Sequence, residues 1–240
     1  LQGDFTDDRN VLVIKPEGGE IINTKTYGEK ETTKIIKGLY TVNEEGDFSG
    51  RAIITSRGIH YDNKFVNERL SKEEQVTKYK EEFDNINNLK INKISFENNE
   101  NSLEFKESFE FQAENYAQNS GGKLIFVVNA FDQNTYVPKK YKLREFSFEF
   151  ERGYTNEADI EITIPDNYIV EAKPSGVELE TEFGYYKIEF NVVNDSKINC
   201  KRKFIMKKGL HDKSKYESYR KFKETIAKSD ISKIVISKKN

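Results

Sequence analysis

Alternation with a period of two runs through most of this chain and constrains its fold more than any other feature. Phe146, Phe148 and Phe150 recur on one face, as do Ile160, Ile162 and Ile164, and again Tyr186, Ile188, Phe190 and Val192. Successive side chains of a strand point to opposite sides of its sheet, so each run predicts a half-buried antiparallel strand. Leu103, Phe105, Phe109 and Phe111 continue the pattern with Glu104, Lys106 and Glu110 between them, and the continuously apolar Leu124 to Val128 predicts a strand covered on both faces. Turn chemistry separates the runs at Glu17-Gly18-Gly19, Glu45-Gly46-Asp47, Ser120-Gly121-Gly122, Pro165-Asp166-Asn167 and Pro174-Ser175-Gly176. The expected fold is mainly β: an antiparallel β-sandwich or a curved sheet pair.

Two segments depart from this pattern and predict short amphipathic helices over about 71–87 and about 214–228. Ser71-Lys72-Glu73-Glu74 and Ser214-Lys215-Tyr216-Glu217 both have the spacing of a capping box. Val76, Tyr79 and Phe83 follow the first serine at the same offsets as Tyr219, Phe222 and Ile226 follow the second. Each helix comes after a Gly-aliphatic-His step, Gly58-Ile59-His60 and Gly209-Leu210-His211, so the chain reads as a candidate duplication of a strand–helix–strand unit.

The length of 240 residues suits one large domain or two small ones. A single β-rich module over 1–240 is expected, with a subdivision into 1–138 and 139–240 at Val137-Pro138-Lys139-Lys140 as the alternative. Only 35% of residues are hydrophobic, but 17 Phe and 13 Tyr supply the large surfaces a core needs. Lys+Arg 39 against Asp+Glu 41 leaves a net charge of −2, which offers nucleic acid no global attraction. One Cys excludes an internal disulfide framework, and with two His it falls short of a zinc cluster. No apolar run approaches the roughly 18 residues that a membrane span needs, and no charged-then-apolar leader opens the chain. Met206 is the only methionine, so a longer gene product extending upstream of Leu1 is expected.

Candidate chemistry is sparse. Cys200 is flanked by Lys201-Arg202-Lys203, which would favour a thiolate, but it shares a strand face with Ile198, Phe204 and Met206 and reads as a small buried hydrophobe. His60 and His211 are the only histidine bases, and both are expected in turns or at sheet edges. Glu107, Glu110, Glu149, Glu161 and Glu189 read as a solvated sheet face. Asp7-Asp8 and Asp84-Asn85 lack the spacing of a calcium loop, and Gly18-Gly19 and Gly121-Gly122 lack that of a phosphate loop. Lys139-Lys140-Tyr141-Lys142 and Lys201-Arg202-Lys203-Phe204 interleave basic and aromatic residues, but two short runs at this net charge fit solvated strands better than a nucleic-acid groove. Tyr185-Tyr186 offers a stacking surface for sugar only at Tyr185, because Tyr186 belongs to the inward stripe. No catalytic, cofactor-binding or metal residue is assigned, and no cofactor is expected.

Several strings in a fixed order carry a resemblance. Arg9-Asn10-Val11-Leu12-Val13-Ile14-Lys15-Pro16-Glu17-Gly18-Gly19, Ile164 to Pro174, Phe183-Gly184-Tyr185-Tyr186, Tyr216 to Phe222 and Asp230 to Ile236 together resemble the C-terminal β module of bacterial transglutaminase-like proteins. The likeness spans about Arg9 to the last strand and departs at Leu210-His211-Asp212-Lys213, where a proline is expected. It implies a papain-like core upstream in the same polypeptide that carries the Cys–His–Asp set, with no position here matching it, Cys200 included. It also implies export to the periplasm or cell surface. The resulting expectation is a non-catalytic accessory domain beside a transglutaminase-like cysteine hydrolase core. The alternative is an extracytoplasmic binding module for a glycan or a peptide, and in both readings the chain is a monomer without a nucleic-acid partner.

Overall fold

A computed structural model of the chain describes residues 6–239. Its N-terminal part is a hairpin of β1 (Asn10–Lys15) and β2 (Gly18–Asn23), which form a two-stranded sheet of their own. Then come β3 (Thr33–Val42), β4 (Phe48–Arg57), α1 (Ile59–Asp62), a 3-10 turn (Phe65–Arg69), α2 (Lys72–Glu82), β5 (Leu89–Asn99), β6 (Glu104–Ala113), β7 (Gln118–Ser120) and β8 (Lys123–Val127). An irregular stretch over 128–147 leads to β9 (Phe148–Phe150), β10 (Tyr154–Thr163), β11 (Tyr168–Ala172), β12 (Val177–Thr181), β13 (Gly184–Asn194), β14 (Lys197–Met206) and β15 (Gly209–His211). A 3-10 turn (Lys213–Lys215), α3 (Tyr216–Asp230) and β16 (Lys233–Lys238) complete it. All five expected turns lie between consecutive strands. At Gly121 and Gly122 the turn needs φ of 60° and 81°, which glycine adopts without steric cost.

The main sheet has eight strands in the order β12-β13-β14-β10-β3-β4-β6-β5. Every neighbouring pair is antiparallel except β3 and β10, which run parallel from Thr33↔Thr155 to Thr41↔Thr163. That one ladder joins a four-stranded first half to a four-stranded second half. A smaller sheet, β11-β16-β8-β7, takes two strands from each side of β9. The architecture is mainly β, with several antiparallel sheets, as the alternation predicts.

Most residues of the apolar stripes point to one interior, whereas Val192 is exposed and Phe105 packs on Phe96 outside it. Ile36, Tyr40, Ala52, Phe109, Phe111, Ile160, Ile162, Tyr186, Ile188 and Phe204 from the main sheet are buried together with Leu124, Phe126, Ile234 and Ile236 from the smaller one. Gly38 makes room for this packing, since a Cβ there would lie 2.2 Å from the Tyr40 ring. Tyr79 and Phe83 from the first helical segment pack on Phe109, and Phe222 of α3 lies against Phe204 and Phe183. Aromatic contacts thus supply area that the modest aliphatic content does not.

Several local expectations are corrected. The first helix stops at Glu82, because Phe83 leaves the helical region at φ −115°, ψ 42°. Its capping box is formed, with the Ser71 hydroxyl accepting from the Glu74 amide and the Glu74 carboxylate accepting from the Ser71 amide. The second box is not. Asp212 accepts from the Ser214 amide at 2.9 Å, the chain makes a 3-10 turn, and α3 starts at Tyr216 with Glu217 turned toward Arg220. The two Gly-aliphatic-His steps also differ, one entering α1 and the other forming strand β15. Phe146 stands outside β9 and is 78% exposed, and Ile125 and Val127 on the second face of β8 are only half-buried.

Candidate functional site

Cys200 is fully buried on β14, in register with Ile160 on one side and Phe190 on the other. Burial pushes its thiol up to about 12, and no hydrogen bond joins it to either histidine among the described residues. A protonated thiol sealed in the core is no nucleophile. His60 lies in α1, edge-on to Tyr154 at 5.6 Å, with Nε2 buried and unpartnered. Burial, reinforced by the Lys34 charge, holds its pKa down at about 4. His211 on β15 stacks against Phe148 at 5.3 Å and meets Phe183 edge-on. The two histidines therefore serve different aromatic clusters.

Of the five glutamates assigned to a solvated face, Glu107 is a correction. It is fully buried on the inner face of β6, where Tyr79 donates to it at 2.6 Å and Asn67 at 3.0 Å, with Lys64 Nζ 3.6 Å away. Glu110, Glu149, Glu161 and Glu189 do face outward. The run Lys201-Arg202-Lys203-Phe204 is divided between the two faces of β14, with Lys201 and Lys203 exposed and Arg202 and Phe204 buried. Tyr141 of the other basic run is exposed and leans on Tyr216, whose hydroxyl donates to the Lys139 carbonyl. Asp7 is bound by Arg152, and Asp8 by Lys208 and Thr26.

Arg202 anchors the second buried polar centre. Its guanidinium donates to Asp132 at 2.5 Å and to both oxygens of Asp230 at 2.7 and 2.8 Å. Lys34 of β3 reaches Asp132 at 2.6 Å, the Tyr186 hydroxyl donates to Asp230 at 2.8 Å, and the Asn134 amide donates to its other oxygen. Burial raises the Asp230 pKa against the pull of Arg202, whereas at Asp132 the nearby Arg202 and Lys34 charges outweigh burial and lower it. Chemically these contacts fasten the irregular stretch after β8 to α3 and the main sheet. The sequence carried a signal for both centres: Glu107 and Arg202 occupy the missing inward positions of the stripes Phe105-x-x-x-Phe109 and Cys200-x-x-x-Phe204.

What the molecule leaves uncovered is apolar surface. On the β1–β2 hairpin, Leu12, Ile14 and Ile21 are 64%, 83% and 72% exposed and share one face, while Val11, Val13 and Ile22 occupy the other. Leu12 pairs with Ile21 and Val11 with Ile22, so both faces are aliphatic. Tyr136, Tyr141, Leu143, Phe146 and Leu210 are also exposed, on or beside the irregular stretch. Two-stranded hairpins are marginal by themselves in water, and this one leaves aliphatic side chains open to solvent.

A family model matches part of this arrangement. Residues 122–236, from the β7–β8 turn into β16, match the family model of a domain of unknown function with a solved structure, DUF3858. No curated protein and no solved structure matches the chain.

Proposed function

We propose that the chain is a non-catalytic accessory domain that packs beside a transglutaminase-like cysteine hydrolase core lying outside these 240 residues. The observation that carries the reading is the β1–β2 hairpin, whose Leu12, Ile14 and Ile21 have no cover. Burying such side chains is worth about 1.5–3 kcal/mol each, which a docked neighbour would recover. The identity of the neighbour rests on the ordered strings that resemble the C-terminal module of transglutaminase-like proteins, and with it go the placement of the core in the same polypeptide and export to the periplasm or cell surface, while a monomeric state rests on the Lys and Glu at outward strand positions, which resist edge pairing. The sealed Cys200 leaves the chemistry to the core.

Hydrogen exchange tests this directly. In the isolated chain the amides of residues 10–23 are expected to exchange within seconds, and in the protein carrying the core they slow at least tenfold. Equal rates in both would remove the docking role. Isopeptide turnover by the isolated chain that is lost on Cys200→Ala would remove the non-catalytic reading.

A further inference from the structure

The outward face of the main sheet is not uniform. Across β13, β14, β10, β3 and β4 it encloses a trough of about 570 Å³, lined by Lys37, Arg51 and Lys201, by Asn191 and Asn199, and by Leu39, Ile53 and Val193, with Asp159 and Glu161 also on its wall. Leu39 and Val193 are 66% and 57% exposed. On a solvated sheet face, cross-strand charges ordinarily pair, and most here do. Lys203 meets Glu157 at 2.7 Å, Lys197 meets Glu161 at 2.6 Å, and Lys187 meets Glu178 at 3.4 Å. Asp159 stands in register between Lys37 and Lys201, yet it accepts from Asn199 at 2.8 Å. Lys37, Arg51 and Lys201 are thereby left without an ion pair among the described residues. Glu110, opposite Arg51 on β6, lies outside the trough lining and makes no ion pair with it.

The spacing of these three cations points to a shape of ligand. Lys201 and Lys37 share a row across β10, and Arg51 lies one strand further, in the next row with Leu39 and Glu161. At about 4.8 Å between strands and about 7 Å between successive same-face rows, the cations stand roughly 8 to 16 Å apart. Acidic side chains two and four residues apart on an extended chain are separated by about 7 and 13 Å. The aliphatic floor suits the methylene stems of those acidic side chains, since the residues between them point away from the sheet, and the Asn191 amide can bond a peptide group. No aromatic ring lines the trough, so the stacking platform that a sugar ring prefers is missing.

We propose that this trough binds an extended acidic peptide segment with a carboxylate at every second position, Lys37, Arg51 and Lys201 each taking a carboxylate. The site is on a different surface from the hairpin and does not depend on the hairpin's partner. The test is fluorescence anisotropy with a labelled octapeptide of alternating Glu and Val, its Gln-Val counterpart, and a labelled oligogalacturonate as the anionic glycan. The chain is expected to bind the Glu-Val peptide, to ignore the Gln-Val peptide, and to weaken as salt shortens the screening length. The triple variant Lys37→Gln/Arg51→Gln/Lys201→Gln should lose roughly 10- to 100-fold in affinity, a factor of about two to five for each exposed pair. All three positions are exposed, so its circular dichroism should be unchanged, and Leu39→Ser should weaken binding without altering charge. Absence of Glu-Val binding, equal binding of the Gln-Val peptide, an unaffected triple variant, or preference for the oligogalacturonate would each overturn the proposal. Because the exchange experiment reads the hairpin, its failure is separable from this one.

Discussion

Arg202 and Glu107 show how a single residue can stand at an inward strand position against its own chemistry. Each sits where a strand's period of two demands a buried side chain, and each is held there by partners reaching in from elsewhere in the chain, all of the Arg202 contacts being hydrogen-bonded ion pairs and Glu107 being bonded through one of its two oxygens. Removing one member of such a set costs more than the set contributes, because the charges left behind remain desolvated. Arg202→Met is therefore expected to cost about 3–5 kcal/mol by urea denaturation. Replacing Asp132 and Asp230 with Leu in the same chain should recover much of that loss. A variant losing less than about 1 kcal/mol would mean that the two aspartates find another partner. The inward location of Arg202 was legible from its register with Cys200 and Phe204, but the identity of its partners was not, since Asp132 and Asp230 lie 70 and 28 residues away.

At the scale of elements, identical sequence spacing produced a capping box once and not twice. Ser71 has nothing upstream competing for the Glu74 amide, whereas Asp212 captures the Ser214 amide and shifts the start of α3. Ser71→Ala is expected to destabilise the fold by about 1 kcal/mol, and Asp212→Ala by a similar amount, while Ser214→Ala stays within about 0.5 kcal/mol. Thermal or urea unfolding of the three variants checks the ranking, and an equal loss at Ser71 and Ser214 would contradict it. The strands were legible from alternation and turns, because these are local features. Phe146 failed the same reasoning: alternation predicts a strand only where a neighbouring backbone is available, and β15 pairs no further than Phe148.

Acid stability belongs to the whole molecule, because the half-buried His60, its Nε2 sealed from solvent, is enclosed by elements from both halves of the main sheet. Tyr154 of β10 faces its ring, and Lys34 of β3, Asp132 and Lys64 are the charges acting on it. Its pKa of about 4 in the fold lies below its ordinary value of 6.5. Above that ordinary value the ring is neutral both folded and unfolded, and the histidine has no effect on stability. As pH falls from 6.5 toward 4, only the unfolded chain takes up the proton, and stability falls by about 2–3 kcal/mol, levelling below the folded value. In His60→Gln this part of the pH dependence should vanish, whatever the variant's stability at neutral pH. Urea midpoints at neutral pH and at about pH 5 for both proteins provide the check, and parallel curves would refute the assignment.

The local pattern of this sequence by itself determined that the chain is mainly β, where its turns fall and which residues of most apolar stripes face inward, because strand period and turn chemistry act over a few residues. Tertiary structure alone decided the rest. The parallel ladder between β3 and β10, the smaller sheet assembled from strands on both sides of β9, the partners that make Glu107 and Arg202 tolerable, and the unpaired cations of the trough all depend on contacts between residues far apart in the chain. No periodicity encodes which distant strand becomes a neighbour, since that choice is made by the joint burial of many stripes in one core.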